Sequence, residues 1–310
     1  MSDSTGIEWA DATWNPVTGC TKLSPASPGC AHCYAETLAE RFRGTPGHYF
    51  ETGFDVVLRP QRLDQPLRWK RGRRIFVNSM SDLFHDQVPD SFIAMVFARM
   101  ALTPQHTYQL LTKRHGRMRS LLSDPLFPRF VLEHAWIAAS DNHLGAVGDT
   151  LRWPLPNVWL GVSVENQQWA RTRLTALAET PAAVRFGSFE PLLSPVNAGP
   201  WLRGPVGLDW VIVGGESGRG ARPMHPDWAR SLRDQCQAAG VPFLFKQWGA
   251  WVETVNGTTI VHRDGETTTS RIPLPAGAVR MSRVAKKVAG RKLDGQTWDQ
   301  YPDHGEDRHG

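Results

Sequence analysis

The sequence predicts an α/β protein: a partial or complete TIM-type (βα)6-8 barrel, with a cysteine-bearing loop at its N-terminal end and a small C-terminal β appendage. Three observations predict it. Short apolar runs recur along the chain, each stops abruptly at polar residues, and helical patterns fill the intervals between them. No G-x-G-x-x-G follows a first strand, so an open dinucleotide-binding sheet is the weaker alternative.

Taken in order, a short first strand is expected around Thr13-Trp14. Ile75-Phe76-Val77 then ends in Asn78-Ser79-Met80-Ser81-Asp82, and Tyr108-Gln109-Leu110-Leu111 ends in Thr112-Lys113-Arg114. The run 158–162 ends in Ser163-Val164-Glu165-Asn166, and 184–187 ends in Ser188-Phe189-Glu190-Pro191. The run 210–213 ends in Gly214-Gly215-Glu216-Ser217-Gly218, and 243–245 ends in Lys246-Gln247-Trp248. Helices are expected over 35–43, 90–102, 167–177 and 227–239; Pro226 before the last and Gly240 after it supply start and stop chemistry. In a βα barrel the chemistry sits at the carboxyl ends of the strands, where this chain repeatedly places polar residues. Residues 1–248 therefore read as the barrel, with an insertion or lid at about 124–156. Residues 249–310 read as the appendage, with a short helix near 284–288 and a tail that is basic and then acidic.

The composition is that of a chain with an ample core: 41% of the 310 residues are hydrophobic. No run of about eighteen apolar residues indicates a membrane span, and residues 1–6 lack the basic and apolar regions of a signal peptide. The formal charge is +5, with a pI near 9.2. Arg59, Arg62, Arg68, Lys70, Arg71, Arg73 and Arg74 face a single acid, Asp64, and a second cluster joins Lys113, Arg114, His115, Arg117 and Arg119. Such patches attract phosphate backbones, so nucleic acid is an expected partner, met chiefly by the second cluster at the strand ends.

Three of the four cysteines lie within fourteen residues, Cys20, Cys30 and Cys33, spaced C-x9-C-x2-C. Clustered thiols without a disulfide framework point to a reducing cytoplasm. Three thiolates with no local fourth ligand suit a [4Fe–4S] cluster with one iron open to a non-protein ligand. A Cys3His zinc knuckle using His32 is the alternative, because structural zinc closes its shell with four ligands. Cys236, on an apolar helical face with Leu232 and Ala239, reads as a packed thiol.

The cysteine loop and the barrel-like alternation together resemble the radical S-adenosylmethionine (SAM) superfamily. More narrowly, Gly6-Ile7-Glu8-Trp9, the stretch from Trp14 to Cys20 and Cys30-x-x-Cys33-Tyr34-Ala35-Glu36 resemble its phage-associated three-cysteine-motif family. Val213-Gly214-Gly215-Glu216-Ser217-Gly218, Phe245-Lys246-Gln247-Trp248-Gly249 and Leu293-Asp294-Gly295 extend the likeness over nearly the whole chain. The nine-residue gap departs from the superfamily's usual C-x3-C-x2-C; spore photoproduct lyase is a distant functional analogue.

The resemblance implies that Cys20, Cys30 and Cys33 ligate a [4Fe–4S] cluster whose fourth iron is chelated by SAM. An external donor would reduce the cluster and start hydrogen abstraction from a substrate. It implies Ser79, Ser81 and Asp82 at the SAM ammonium, and Ser163, Glu165 and Asn166 at the ribose. Gly214, Gly215 and Glu216 would approach SAM, while Lys113, Arg114, Glu190, Lys246 and Trp248 are substrate candidates. The expected substrate is a nucleic acid or nucleotide, repaired or modified. A peptide or small-metabolite substrate is the second reading, and a non-catalytic, zinc-stabilised nucleic-acid-binding protein the third.

Overall fold

In the computed structural model, residues 5–23, 27–139, 145, 147–269 and 273–303 are described. Pro25 of the cysteine loop, most of the Gly/Asp-rich part of the expected insertion and the acidic end of the tail lie outside them.

Thirteen strands occur among the described residues. They are β1 (Ala12–Trp14), β2 (Val17–Thr18), β3 (Val57–Leu58), β4 (Arg74–Val77), β5 (Thr107–Thr112), β6 (Val158–Ser163), β7 (Val184–Phe189), β8 (Trp210–Gly214), β9 (Phe243–Gln247), β10 (Trp251–Glu253), β11 (Thr259–Val261), β12 (Thr267–Thr269) and β13 (Val279–Arg283). Seven form one sheet in the order β1-β4-β5-β6-β7-β8-β9, each new strand adding beside the last. The registered neighbours run parallel. A doubly wound nucleotide-binding sheet reverses its strand order at a switch point; this order never reverses, and it is open between β1 and β9. The α/β class, the partial TIM-type sheet and a separate small antiparallel sheet, ordered β10-β13-β11-β12, are thus as the sequence predicts.

The helices that flank these strands are α1 (Tyr34–Glu40), α2 (Asp90–Ala101), α3 (His115–Leu122), α4 (Phe127–Ala138), α5 (Gln167–Trp169), α6 (Thr175–Ala178), α7 (Pro226–Ala239) and α8 (Lys286–Ala289). In α7 the start is made by His225, whose Nδ1 accepts from Asp227 N–H at 3.1 Å, and by Pro226, whose missing N–H costs nothing there. Gly240 ends it at φ +70°, a conformation glycine adopts without strain. The single helix expected over 167–177 is instead interrupted by a π turn over Ala170–Leu174, because Arg173 turns inward there. The tail helix begins two residues later than expected, and the appendage sheet runs on to Arg283.

The chain forms two compact units, 1–162 with 176–185 and 163–175 with 186–310. In the first, α2 packs on α4. Phe97 meets Phe127 and Trp153 with ring centroids 5.8 and 5.7 Å apart, so this part of the expected insertion is fastened to the helix layer. Each aromatic pair of that kind adds about 0.5–1.5 kcal/mol beyond its buried area. Strands β4 and β5 hold Ile75, Val77, Tyr108 and Leu110, all at most 2% exposed. In the second unit, Trp210, Val211, Ile212, Val213, Phe243, Leu244 and Phe245 are fully buried. Among the described residues no helix is long and apolar enough to cross a membrane.

Candidate functional site

Strand β1 delivers the cysteine loop. After Trp14 the chain turns through Asn15 and enters β2, which pairs antiparallel with β3. Gly19 follows at φ +82°, where a Cβ would lie 1.9 Å from the Asp55 carbonyl oxygen, so a larger residue cannot stand there. Its N–H donates to Met80 O at 2.9 Å, and the Cys20 N–H donates to Phe54 O at 3.0 Å. Cys30 closes a short 3-10 turn (Pro28–Cys30), and Cys33 is the N-cap residue of α1. Ala35, Ala39 and Phe54 form a small core, against which Cys20, Cys33, Phe50 and Met80 pack.

All three loop cysteines are half-buried free thiols, whereas Cys236 is buried in α7. Burial pushes the Cys20 thiol up to about 12. The Asp82 carboxylate and the Cys30 and Cys33 sulfurs add to that rise, and the Arg114 guanidinium opposes it. The Cys236 thiol is raised to about 12 by burial alone. Among the described residues no group of three or more His, Cys, Asp or Glu side chains gathers around a single metal-ion position. One tetrahedral zinc would draw its sulfurs to about 3.8 Å apart, given its bond length; a cubane gives each cysteine its own iron and a wider spacing. His32 is exposed. The donor set is compatible with a three-cysteine cluster motif.

The turn after β4 is held against this loop. The Asn15 Oδ1 accepts from Ser79 Oγ and Met80 N–H, both at 3.2 Å. Ser81 Oγ donates to Val17 O at 2.8 Å, and the Tyr34 hydroxyl donates to Ser79 O at 2.6 Å. Asp82, 7% exposed, accepts from Phe84 N–H (3.0 Å), Lys113 N–H (3.1 Å) and the Thr112 hydroxyl (2.7 Å). Its carboxylate thus ties the end of β4 to the end of β5. Ser79, Ser81 and Asp82 stand together beside the cysteine loop.

Asn78 heads that turn. Its φ is +59°, it is 3% exposed, and neither its Oδ1 nor its Nδ2 has a hydrogen-bond partner. A buried polar atom left unpaired costs about 1–3 kcal/mol. Sequence reasoning listed Asn78 only as part of a polar stop. The usable signal was its residue type, since asparagine tolerates the left-handed region better than most residues.

The second unit has its own polar strand ends. Ser163 and Glu165 are buried, and the Arg173 Nη1 donates to Ser163 O at 2.7 Å and to Glu165 Oε2 at 2.9 Å. The guanidinium also lies 4.1 Å from the centre of the Trp169 ring. Asn166 caps α5 by accepting from Trp169 N–H. Glu190 accepts from Lys246 Nζ at 2.9 Å and from Gln247 Nε2 at 3.0 Å, and its carboxyl carbon lies 3.3 Å from where a Gly214 Cβ would be. Gly215 passes so close to Trp248 that a Cβ would meet its carbonyl at 2.1 Å. Glu216 is held by Arg222 through the backbone N–H, Nε and Nη2, at 2.7–2.8 Å. Trp248 Nε1 donates to Lys292 O. Glu190, Lys246 and the unforeseen Gln247 thus form one cluster, and Glu165 and Glu216 each carry an arginine that sequence reasoning did not foresee.

The basic clusters separate into cations with partners and cations exposed to solvent, and Arg119 is both. Arg114 pairs with Asp86, Arg117 with Asp90 and Arg119 with Glu179. In the earlier cluster Arg59 and Arg62 stack on Tyr49, Arg73 lies over Trp69, and Arg74 pairs with Asp11. Arg68, Lys70 and Arg71 are exposed.

Among curated proteins and among solved structures, nothing matches the chain. A family does: the match runs over residues 4–302, and with nearly its whole length covered the chain belongs to the family described as "Protein of unknown function (DUF5131)".

Proposed function

We propose that the chain is a radical SAM enzyme acting on a nucleic acid or nucleotide, with Cys20, Cys30 and Cys33 as the protein ligands of a [4Fe–4S] cluster. The observation that carries this reading is the placing of three half-buried free thiols in one loop beside the polar turn after β4, with Cys236 packed away in α7. When bound, the cluster and SAM supply one-electron cleavage of a sulfonium and hydrogen abstraction, with the electron coming from an external donor.

The chain's own residues bind and orient. Cys20, Cys30 and Cys33 would hold three irons of the cluster, leaving one open to a non-protein ligand. The Asn78 carboxamide offers an NH2 group and a carbonyl oxygen, both buried and unpartnered, that a bound ligand would satisfy. Asp82, with Ser79 and Ser81 beside it, places negative charge and dipoles where an ammonium would be held. Within the second unit the proposal keeps Ser163, Glu165, Asn166, Gly214, Gly215 and Glu216 as cofactor candidates and Glu190, Lys246 and Trp248 as substrate candidates; within the first, Lys113 is a substrate candidate. The Glu190–Lys246 ion pair could open to accept a substrate carboxylate or phosphate on the ammonium. Polymer contact rests on the exposed Arg68, Lys70 and Arg71.

Anaerobic reconstitution tests the reading. The wild-type protein should turn brown and bind about four irons per chain. Cys20→Ala, Cys30→Ala and Cys33→Ala should each lose that absorbance, and Cys236→Ala should keep it. Equal loss in the Cys236 variant, or a colourless wild type, would sink the cluster assignment. Incubating the reduced protein with SAM and oligonucleotides, followed by mass spectrometry, tests the substrate class.

A further inference from the structure

We propose that Arg114 is a positioning residue for the cluster: it fastens the loop that carries Cys20 to the end of β5 and sets the cluster's reduction potential. The proposal rests on the cluster reading above and goes beyond it, because neither the thiol spacing nor the family match gives Arg114 such a part.

The geometry begins at the backbone. The Arg114 N–H donates to Thr112 Oγ1 at 2.8 Å, and its carbonyl accepts from Met118 N–H, so the residue is fixed at the start of α3. Its side chain, 8% exposed, turns to the cysteine loop. Nη2 donates to Thr21 O at 3.3 Å and to Thr21 Oγ1 at 3.1 Å, and Thr21 directly follows Cys20. Nη1 donates to Asp86 Oδ2 at 2.7 Å. His85 completes the clamp. Its Nδ1 accepts from Gln87 N–H at 3.1 Å. Its Nε2 lies 3.3 Å from the Thr21 backbone nitrogen and 2.7 Å from Thr21 Oγ1, so the ring holds Thr21 at both its main chain and its hydroxyl. A planar guanidinium suits this job better than an ammonium, since its fork reaches the loop and Asp86 at once.

The charge argument follows from exposure. The Asp86 carboxylate is 74% exposed, so water screens it, whereas the guanidinium is nearly dry. Asp82, the opposing carboxylate, is already engaged by three donors. A fixed, poorly screened cation one residue from a ligating cysteine stabilises the form of the cluster that carries the extra electron.

The test uses the full chain, reconstituted anaerobically, with iron content measured and the midpoint potential read by a dithionite titration followed by electron paramagnetic resonance. Arg114→Gln should bind iron and titrate at a more negative potential. Its reduction equilibrium should fall roughly tenfold, which is 59 mV for a one-electron couple. Arg114→Lys keeps the charge without the fork, and should titrate near wild type while losing iron faster to a chelator. Asp86→Asn, a surface change that leaves the fold alone, removes the counter-charge and should shift the midpoint the other way by less. Iron-loaded Arg114→Gln and Asp86→Asn proteins that both titrate with wild type would overturn the proposal and leave the cluster reading standing. If Arg114→Gln does not fold, an unmoved midpoint in Asp86→Asn alone overturns it. A wild type that binds no iron is a different failure, because it removes the cluster reading itself.

Discussion

At Asn78 the backbone enters the left-handed region and a whole carboxamide is buried without a partner. Both are costs to the fold that a ligand could offset, the pattern expected where structure is held ready for binding. Asn78→Gly removes the orphaned atoms and suits φ +59°, so it should stabilise the free protein by about 1 kcal/mol. The same change should weaken SAM binding measured by calorimetry. A variant that is less stable than wild type, or that binds SAM as well, would remove Asn78 from the site. Cysteine positions were legible in the sequence because ligation demands a residue type at a close spacing. Asn78, Thr21 and His85 were not, because their meaning depends on which neighbours fill their hydrogen bonds.

The break in the helix after β6 is explained by one buried ion pair. Glu165 and Arg173 are both 0% exposed, and the π turn carries Arg173 inward to meet the carboxylate and Ser163 O. Two desolvated charges that pair contribute little net stability, but removing one strands the other. Glu165→Ala should therefore destabilise the fold by about 3–5 kcal/mol, seen as a lower urea midpoint. Glu165→Leu combined with Arg173→Met should recover most of that loss. Failure of the double variant to recover would mean that the Ser163 and Trp169 contacts, rather than the charge pair, set this turn. Helical periodicity placed the segment correctly and missed the break, since a 3.6-residue pattern does not reveal that a charged residue is drawn into the core.

Among the described residues, four imidazoles share one electrostatic condition. Burial disfavours the charged ring of His85, His106, His134 and His225 and holds each pKa below the ordinary histidine value. The unfolded chain takes up protons near pH 6.5 and the folded chain resists, so stability rises with pH through that window and is lost as pH falls below it. The melting temperature should be lower at pH 5.5 than at pH 7.5, and His85→Gln should flatten the difference; a pH-independent melting temperature would contradict this. Charge placement carries the remaining prediction. Neutralising two of Arg68, Lys70 and Arg71 should shallow the slope of log K against log salt for DNA by roughly two. Arg117→Gln should change it less, because that guanidinium is already held by Asp90 and the carbonyls of His85 and Val88. Binding that is absent at low salt would turn the proposal toward a small substrate.

The sequence by itself determined the class of fold, the order of its strands and the three thiols, because these depend on local periodicity and on residue chemistry read along the chain. Apolar runs such as 75–77 and 210–213 had to be buried strands, and polar residues had to gather at their ends. Only the tertiary structure decided what each polar end is engaged with. Asp82 lies between two strand ends, Glu216 and Glu165 each carry an arginine, and the arginines at 114 and 117 are engaged by neighbouring carboxylates and carbonyls, while Arg119 makes a surface ion pair. The physical reason is that a charge has no fixed role until its partners and its water are known, and both are set by residues tens of positions away.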